Sequence, residues 1–149
     1  MNTHPKVLII VFCIAGVAIM GYLTVINYTQ AQSFCDFSEE ASCDVVTTSL
    51  YSEIFGVPLS TMGLGYFSFV LFLLFYGKKK RVFQIIFLLT LFVLVPSLYL
   101  SFIEFFVIKS FCILCESSKV LMFAVLLSSL PAVKSQVKVS FKYVAPVVI

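Results

Sequence analysis

The chain has 149 residues, of which 61% are hydrophobic and only 11% charged, where soluble domains carry about 25% charged residues. A water-soluble chain of this length has too little interior for so much apolar surface, so the composition is that of a membrane protein. The net charge of +3 comes from Lys and Arg set between long apolar runs with no basic helix face, which argues against nucleic acid as a partner.

A run of 29 uncharged residues separates Lys6 from Asp36. It predicts a first spanning helix over about residues 7–28, enough at 1.5 Å per residue to cross roughly 30 Å of hydrocarbon. Reading this segment as a cleaved signal peptide, with Ala31-Gln32-Ser33 as the small-residue site, is disfavoured because the apolar run exceeds the roughly 7 to 15 residues of a signal core. The loop that follows, residues 29–56, is acidic. Within it Val46, Leu50 and Ile54, with Tyr51 and Phe55, recur at helical spacing against Asp44, Thr47, Thr48 and Glu53. That pattern predicts a short amphipathic helix lying in the interface as a lid.

A second span is expected over about residues 57–76, with Pro58 in its first turn after Gly56. A third is expected over about residues 82–106, where Pro96 removes one backbone donor and kinks the helix. The fourth, about residues 112–133, is capped by Ser110 and interrupted near its start by Glu116 and Lys119. The fold class is therefore all-α: one membrane domain over residues 1–133, a four-transmembrane-helix bundle, followed by a peripheral tail over residues 134–149.

Four antiparallel spans gather Lys6, the turn Lys78–Arg81 and the basic residues of the tail on one side, eight of the ten Lys and Arg. All seven acids fall on the other side: Asp36, Glu39, Glu40, Asp44, Glu53, Glu104 and Glu116. By the positive-inside rule the basic side is cytoplasmic, with both termini. The expected location is the cell's inner membrane.

Four of the five cysteines then face the extracytoplasmic side, which is an oxidising compartment. Cys35 and Cys43 lie in the acidic loop, and Cys112 and Cys115 form a Cys-Ile-Leu-Cys motif at the start of the fourth span. Residues three apart on a helix are close enough for a disulfide to open and close without unwinding it. Near a helix N-terminus Cys112 is the more acidic thiol. Cys115, one turn deeper, meets the apolar boundary, where a lipid-soluble acceptor can reach it. The loop pair is placed to meet soluble protein thiols, and thiol–disulfide exchange can join the two pairs. A four-cysteine zinc site is the competing chemistry, but the seven-residue gap between Cys35 and Cys43 departs from usual ligand spacing, so no metal is expected. Cys13, mid-span, reads as packing. The remaining alternatives are a four-span scaffold with structural disulfides and a conduit carrying reducing electrons outward.

The order of features resembles the bacterial homologues of vitamin K epoxide reductase over about residues 30–133. These features are the loop pair Cys35 and Cys43, Ser49 six residues later, Phe55-Gly56 leading into the second span, and Cys112 with Cys115 at the start of the fourth. The resemblance implies a quinone-reducing enzyme that makes disulfides in exported proteins through a thioredoxin-like partner, with menaquinone or ubiquinone as acceptor. In that scheme Cys35 meets the partner, Cys43 passes electrons to Cys112, and Cys115 reacts with the quinone. Ser49 hydrogen-bonds near the relay, and Phe55 and Lys119 join Cys115 at the quinone. The chain has no room for the fused thioredoxin-like domain that many members carry, so the partner is expected to act in trans. Two vertebrate positions differ: the Asn before the Ile-Phe-Gly turn is Ser52, and the Tyr four residues after the last cysteine is Lys119. Both differences argue against epoxide reduction. Lys119 can steady the thiolate or the developing quinol anion, or it can pair with Glu116 or snorkel to the surface.

Overall fold

The computed structural model describes residues 3–38, 42–77 and 79–148. In chain order they form α1 (Thr3–Thr29), α2 (Cys43–Thr47), a 3₁₀ turn (Leu50–Ser52), β1 (Glu53–Ile54), β2 (Val57–Pro58), α3 (Leu59–Tyr76), α4 (Lys79–Ile103), a π-helical turn (Glu104–Ile108) and α5 (Ile113–Val148). Four segments are long and apolar enough to cross a membrane: His4–Thr29, Leu59–Tyr76, Arg81–Ile108 and Ile113–Lys134. The protein is a multi-pass, all-α membrane protein. Its outer surface is apolar by design, with Phe69, Phe72, Phe92 and Phe102 among the exposed large side chains, as a bundle solvated by lipid requires.

Helix α5 packs against both α1 and α4, and α1 also packs along α3. Lipid tails are as apolar as leucine, so close backbone approach holds such helices together. Gly16 of α1 provides one such approach: a Cβ there would stand 2.6 Å from ring carbons of Phe67, a fully buried residue of α3. Gly16→Ala is therefore expected to cost about 1–3 kcal/mol by overpacking. Gly65→Ala on the same face-to-lipid scale of change, where an added carbon meets nothing within 4 Å, should be neutral or better. Thermal unfolding of the two variants in detergent tests the contrast.

Three expectations change. First, the lid helix expected to carry Cys43 at its start and to continue to the Phe55-Gly56 tether does begin at Cys43 but stops at Thr47, because hydroxyls bond to carbonyls of the same segment. Thr47 Oγ1 donates to Cys43 O at 2.7 Å, Thr48 Oγ1 to Asp44 O at 2.6 Å, Ser49 Oγ to Val46 O at 2.8 Å and Ser52 Oγ to Thr47 O at 2.6 Å. A two-residue hairpin follows, pairing Ile54 with Val57. Its loop residues Phe55 and Gly56 have φ of 54° and 76°, the left-handed pair that tight hairpins require. Second, the fourth span begins at Ile113, and Ser110 does not cap it: its buried hydroxyl has no partner among the described residues. Third, the fourth span, Ile113–Lys134, is continued by the same helix, which runs through the residues read as a tail to Val148.

The loop between α1 and α3 is tied to the end of α1 and to itself. Asn27 Nδ2 donates to Thr47 O at 3.0 Å, Ser33 N to Asp44 Oδ1 at 3.2 Å and Phe34 N to Tyr22 Oη at 3.3 Å. The Tyr22 and Phe34 rings lie 5.0 Å apart. These ties hold the loop over the end of the bundle where α5 begins.

Candidate redox site

Ser42 caps α2 by accepting from Val45 N at 3.3 Å, which sets Cys43 at the first helical position. Cys43 is bonded to Cys35 in a disulfide whose Cα atoms lie 6.1 Å apart. Ser33 Oγ lies 2.8 Å from Cys35 Sγ and accepts from Cys35 N at 3.2 Å. From the other side Cys112 Sγ approaches Cys43 Sγ to 2.8 Å. All three sulfurs are buried.

Cys112 is the cap residue of α5. Its carbonyl accepts the first helical bond from Glu116 N at 3.0 Å, and its sulfur accepts from Cys115 N at 3.4 Å, as a capping side chain does. The shift from Ser110 to Cys112 thus places the thiol itself where the helix N–H groups converge. Cys112 precedes the membrane-spanning segment, and its hydrogen bond from the Cys115 thiol, helped by the Cys115 N–H, holds it below the ordinary thiol range against the opposing effect of burial. The sulfurs of Cys35, Cys43 and Cys112 lie within 4.8 Å of one another. With two of them joined covalently, they do not form a thiolate ligand set in this oxidation state.

Cys115 opens onto a cavity of about 240 Å³ between the outer loop and the bundle. Its wall is chiefly apolar, with Met20, Val46, Pro58, Val93, Pro96 and Met122, and its polar members include Ser49, Ser52, Ser60, Glu104 and Lys119. Two buried polar atoms of this wall, Ser60 Oγ and Glu104 Oε2, have no hydrogen-bond partner among the described residues. Of the residues expected at the quinone, Cys115 and Lys119 line the cavity and Phe55 does not. The left-handed turn carries Phe55 to the hairpin tip, where it is fully exposed, and its neighbours Tyr51 and Ile54 line the cavity instead. Ser49 also lines it, but its hydroxyl closes the α2 turn on Val46 O and makes no hydrogen bond to a sulfur among the described residues.

Beside the cavity, Lys119 Nζ donates to Ser101 Oγ at 2.6 Å and Glu116 Oε1 at 2.7 Å, and more distantly to Glu104 Oε1 at 3.4 Å. Ser101 Oγ closes the group by donating to Glu116 Oε1 at 2.9 Å. The expected Lys119–Glu116 pairing is present. Glu104, counted with the other acids on the side opposite the Lys-rich turn, is buried within the bundle at 7% exposure. The signal for it was its position inside the third expected span, since an ionisable residue within a membrane segment is a functional candidate by default. Ser33 carried no comparable signal.

A cavity thiol, a second thiol at a helix cap and a disulfide against that thiol lie in succession. No curated protein sequence matches the chain. The model described as Vitamin K epoxide reductase family matches residues 7–130, a stretch containing both cysteine pairs, and the chain belongs to that family of quinone-linked membrane oxidoreductases.

Proposed function

We propose that the protein is a quinone-dependent thiol oxidoreductase that generates disulfides in exported proteins by taking electrons from a thioredoxin-like partner. The observation that carries this reading is the 2.8 Å approach of the Cys112 thiol to Cys43 of the closed Cys35–Cys43 disulfide. A purely structural staple leaves no role for a free thiol against it. The positive-inside pattern supports an inner-membrane protein with cytoplasmic termini and these cysteines on the extracytoplasmic side.

A partner thiolate attacks Cys35 Sγ and expels Cys43 as a thiolate. The partner's second thiolate then attacks its own half of the mixed disulfide, leaving as a disulfide and releasing Cys35. Cys43 attacks Cys112 in the oxidised inner pair and expels Cys115. Cys35 then attacks Cys43, restoring the outer disulfide and releasing Cys112. The inner pair now holds the two electrons, which is the state described here: outer pair closed, Cys112 and Cys115 free.

The apolar cavity, with Cys115 in its wall and polar atoms of Ser60 and Glu104 lacking partners, fits a lipid-soluble ring bearing carbonyl oxygens. Ser60, Lys119 and Cys115 are the residues that would hold it. When bound, a quinone supplies an acceptor for two electrons and two protons. A strongly oxidising thioredoxin-like partner sits near about −120 mV, and about 30 mV is worth about 1.4 kcal/mol in a two-electron step. Quinol removal by respiration therefore draws the exchange toward disulfides even where potentials nearly match.

The test is reconstituted protein given a short-chain ubiquinone or menaquinone and a reduced thioredoxin-like protein. One quinol per partner disulfide is expected. Equal rates from a variant with Ser at positions 35, 43, 112 and 115 would overturn the reading, as would alkylation of native membranes that finds neither pair ever reduced.

A further inference from the structure

We propose that Glu104 is the acid–base residue of the inner cysteine pair, taking the Cys115 thiol proton onto its free oxygen and holding it at the cavity wall for the acceptor. The inference rests on the quinone-reducing reading and deepens it. Glu104 and Cys115 both line the cavity. The Glu104 side chain is 10% exposed, its carboxyl group makes a long 3.4 Å contact to Lys119 through Oε1 and lies within hydrogen-bond reach of the Glu116 carboxyl group, and its Oε2 is buried without any partner among the described residues. A carboxylate serving only as an ion-pair partner in an apolar bundle would use both oxygens, because an unsatisfied buried oxygen costs free energy. Here Lys119 gives its short contacts to Ser101 and Glu116, so Glu104 keeps one oxygen uncommitted. Glu104 also opens the π-helical turn that ends the third span, a backbone feature concentrated at functional sites.

The need for such a group follows from the balance of the step. Closing the inner pair forms the Cys112–Cys115 bond and releases two electrons to the quinone, which must gain two protons. Cys112 reacts as the thiolate, its proton given up to water beforehand. One proton leaves the Cys115 thiol for the Glu104 carboxylate and passes to the quinone, returning Glu104 to its starting state. The second comes from water reaching the site past Glu116, whose side chain is 41% exposed. The charged and titratable groups around Glu104 are Lys119, Glu116, Cys112 and Cys115 of α5 and Tyr51 of the outer loop, which lines the same cavity.

Infrared difference spectroscopy of the inner pair, oxidised electrochemically without quinone, reads the proton directly. A carboxylic-acid carbonyl band is expected to appear as the Cys112–Cys115 disulfide forms, to vanish in Glu104→Gln and to shift in Glu104→Asp. An unchanged spectrum in Glu104→Gln would overturn the assignment. In single turnover with a short-chain ubiquinone, Glu104→Gln should slow oxidation of the inner pair about 100-fold, the usual scale of general acid–base catalysis, with partial recovery in Glu104→Asp. Glu104→Gln leaves Lys119 its two short contacts, so the fold is retained. A wild-type rate in that variant sinks the inference. A wild-type enzyme that reduces no quinone sinks the functional reading instead, and the infrared band then decides the acid–base assignment by itself.

Discussion

Cys115→Ala is expected to abolish quinone reduction and to strand the protein with Cys43 bonded to Cys112. In the wild type, attack of the Cys112 thiolate on Cys43, already 2.8 Å away, forms a Cys43–Cys112 bond and expels Cys35 as a thiolate. That species is opened again by either neighbour, Cys35 from the loop or Cys115 from the next turn of α5. Attack by Cys35 on Cys43 leads onward to the reduced inner pair at the cavity, whereas attack by Cys115 on Cys112 returns the electrons to the outer pair. Without Cys115 no inner disulfide can form, so no electrons reach the acceptor, and the cross-pair bond loses one of the two thiols that open it and accumulates. The loss of turnover should exceed about 1,000-fold, since members of a concerted catalytic unit fail together. Acid quenching, alkylation and peptide mapping should find Cys43 joined to Cys112 with Cys35 alkylated. A Cys115→Ala protein that shows only the Cys35–Cys43 bond at every thiol–disulfide ratio would mean that the short sulfur contact is not a path of exchange.

The spans were legible because a membrane leaves few ways to use an apolar run, and both cysteine pairs were legible because their order along the chain is unusual. What spacing does not carry is competition among neighbours. The apolar repeat from Val46 to Phe55 has helical period, yet Thr47, Thr48, Ser49 and Ser52 turn their hydroxyls onto carbonyls of the same segment and break it into a short helix, a 3₁₀ turn and a hairpin. Phe55 accordingly leaves the cavity for the tip. At the fourth span, preference for a serine cap pointed to Ser110, while the chain uses the sulfur of Cys112, which places the reactive atom at the cap rather than beside it. Glu104 was placed only by its side of the membrane, because the span pattern does not say which face of a helix end packs inward, and one helical turn separates a solvated end from the buried wall of a site. Its partnership with Lys119, 15 residues later, exists only after α4 and α5 pack together.

Lys119→Met should destabilise the bundle and raise the concentration of quinone needed for turnover, and its stability loss should be largely reversed by adding Glu104→Gln. Methionine nearly conserves the volume, so packing is little disturbed. The two acids that Lys119 bridges respond differently. Glu116, with a side chain 41% exposed, can turn toward water and keeps the Ser101 hydroxyl. Glu104, 10% exposed, cannot, and losing one partner of a buried pair costs about 3–5 kcal/mol where the remaining charge stays in place. The expected cost lies at the lower end of that range, about 3 kcal/mol, because the direct contact is long at 3.4 Å. Neutralising Glu104 as well removes the stranded charge, so the double variant should be more stable than Lys119→Met alone, with a coupling of at least about 1 kcal/mol in the double-mutant cycle. Turnover should stay low in the double variant, which lacks both the carboxylate and the cation at the cavity. Unfolding in mixed detergent micelles, run beside quinone reduction, separates the two effects. Additive stability losses would show that Lys119 and Glu104 do not act as a pair, and an unchanged quinone requirement in Lys119→Met would remove Lys119 from the acceptor site.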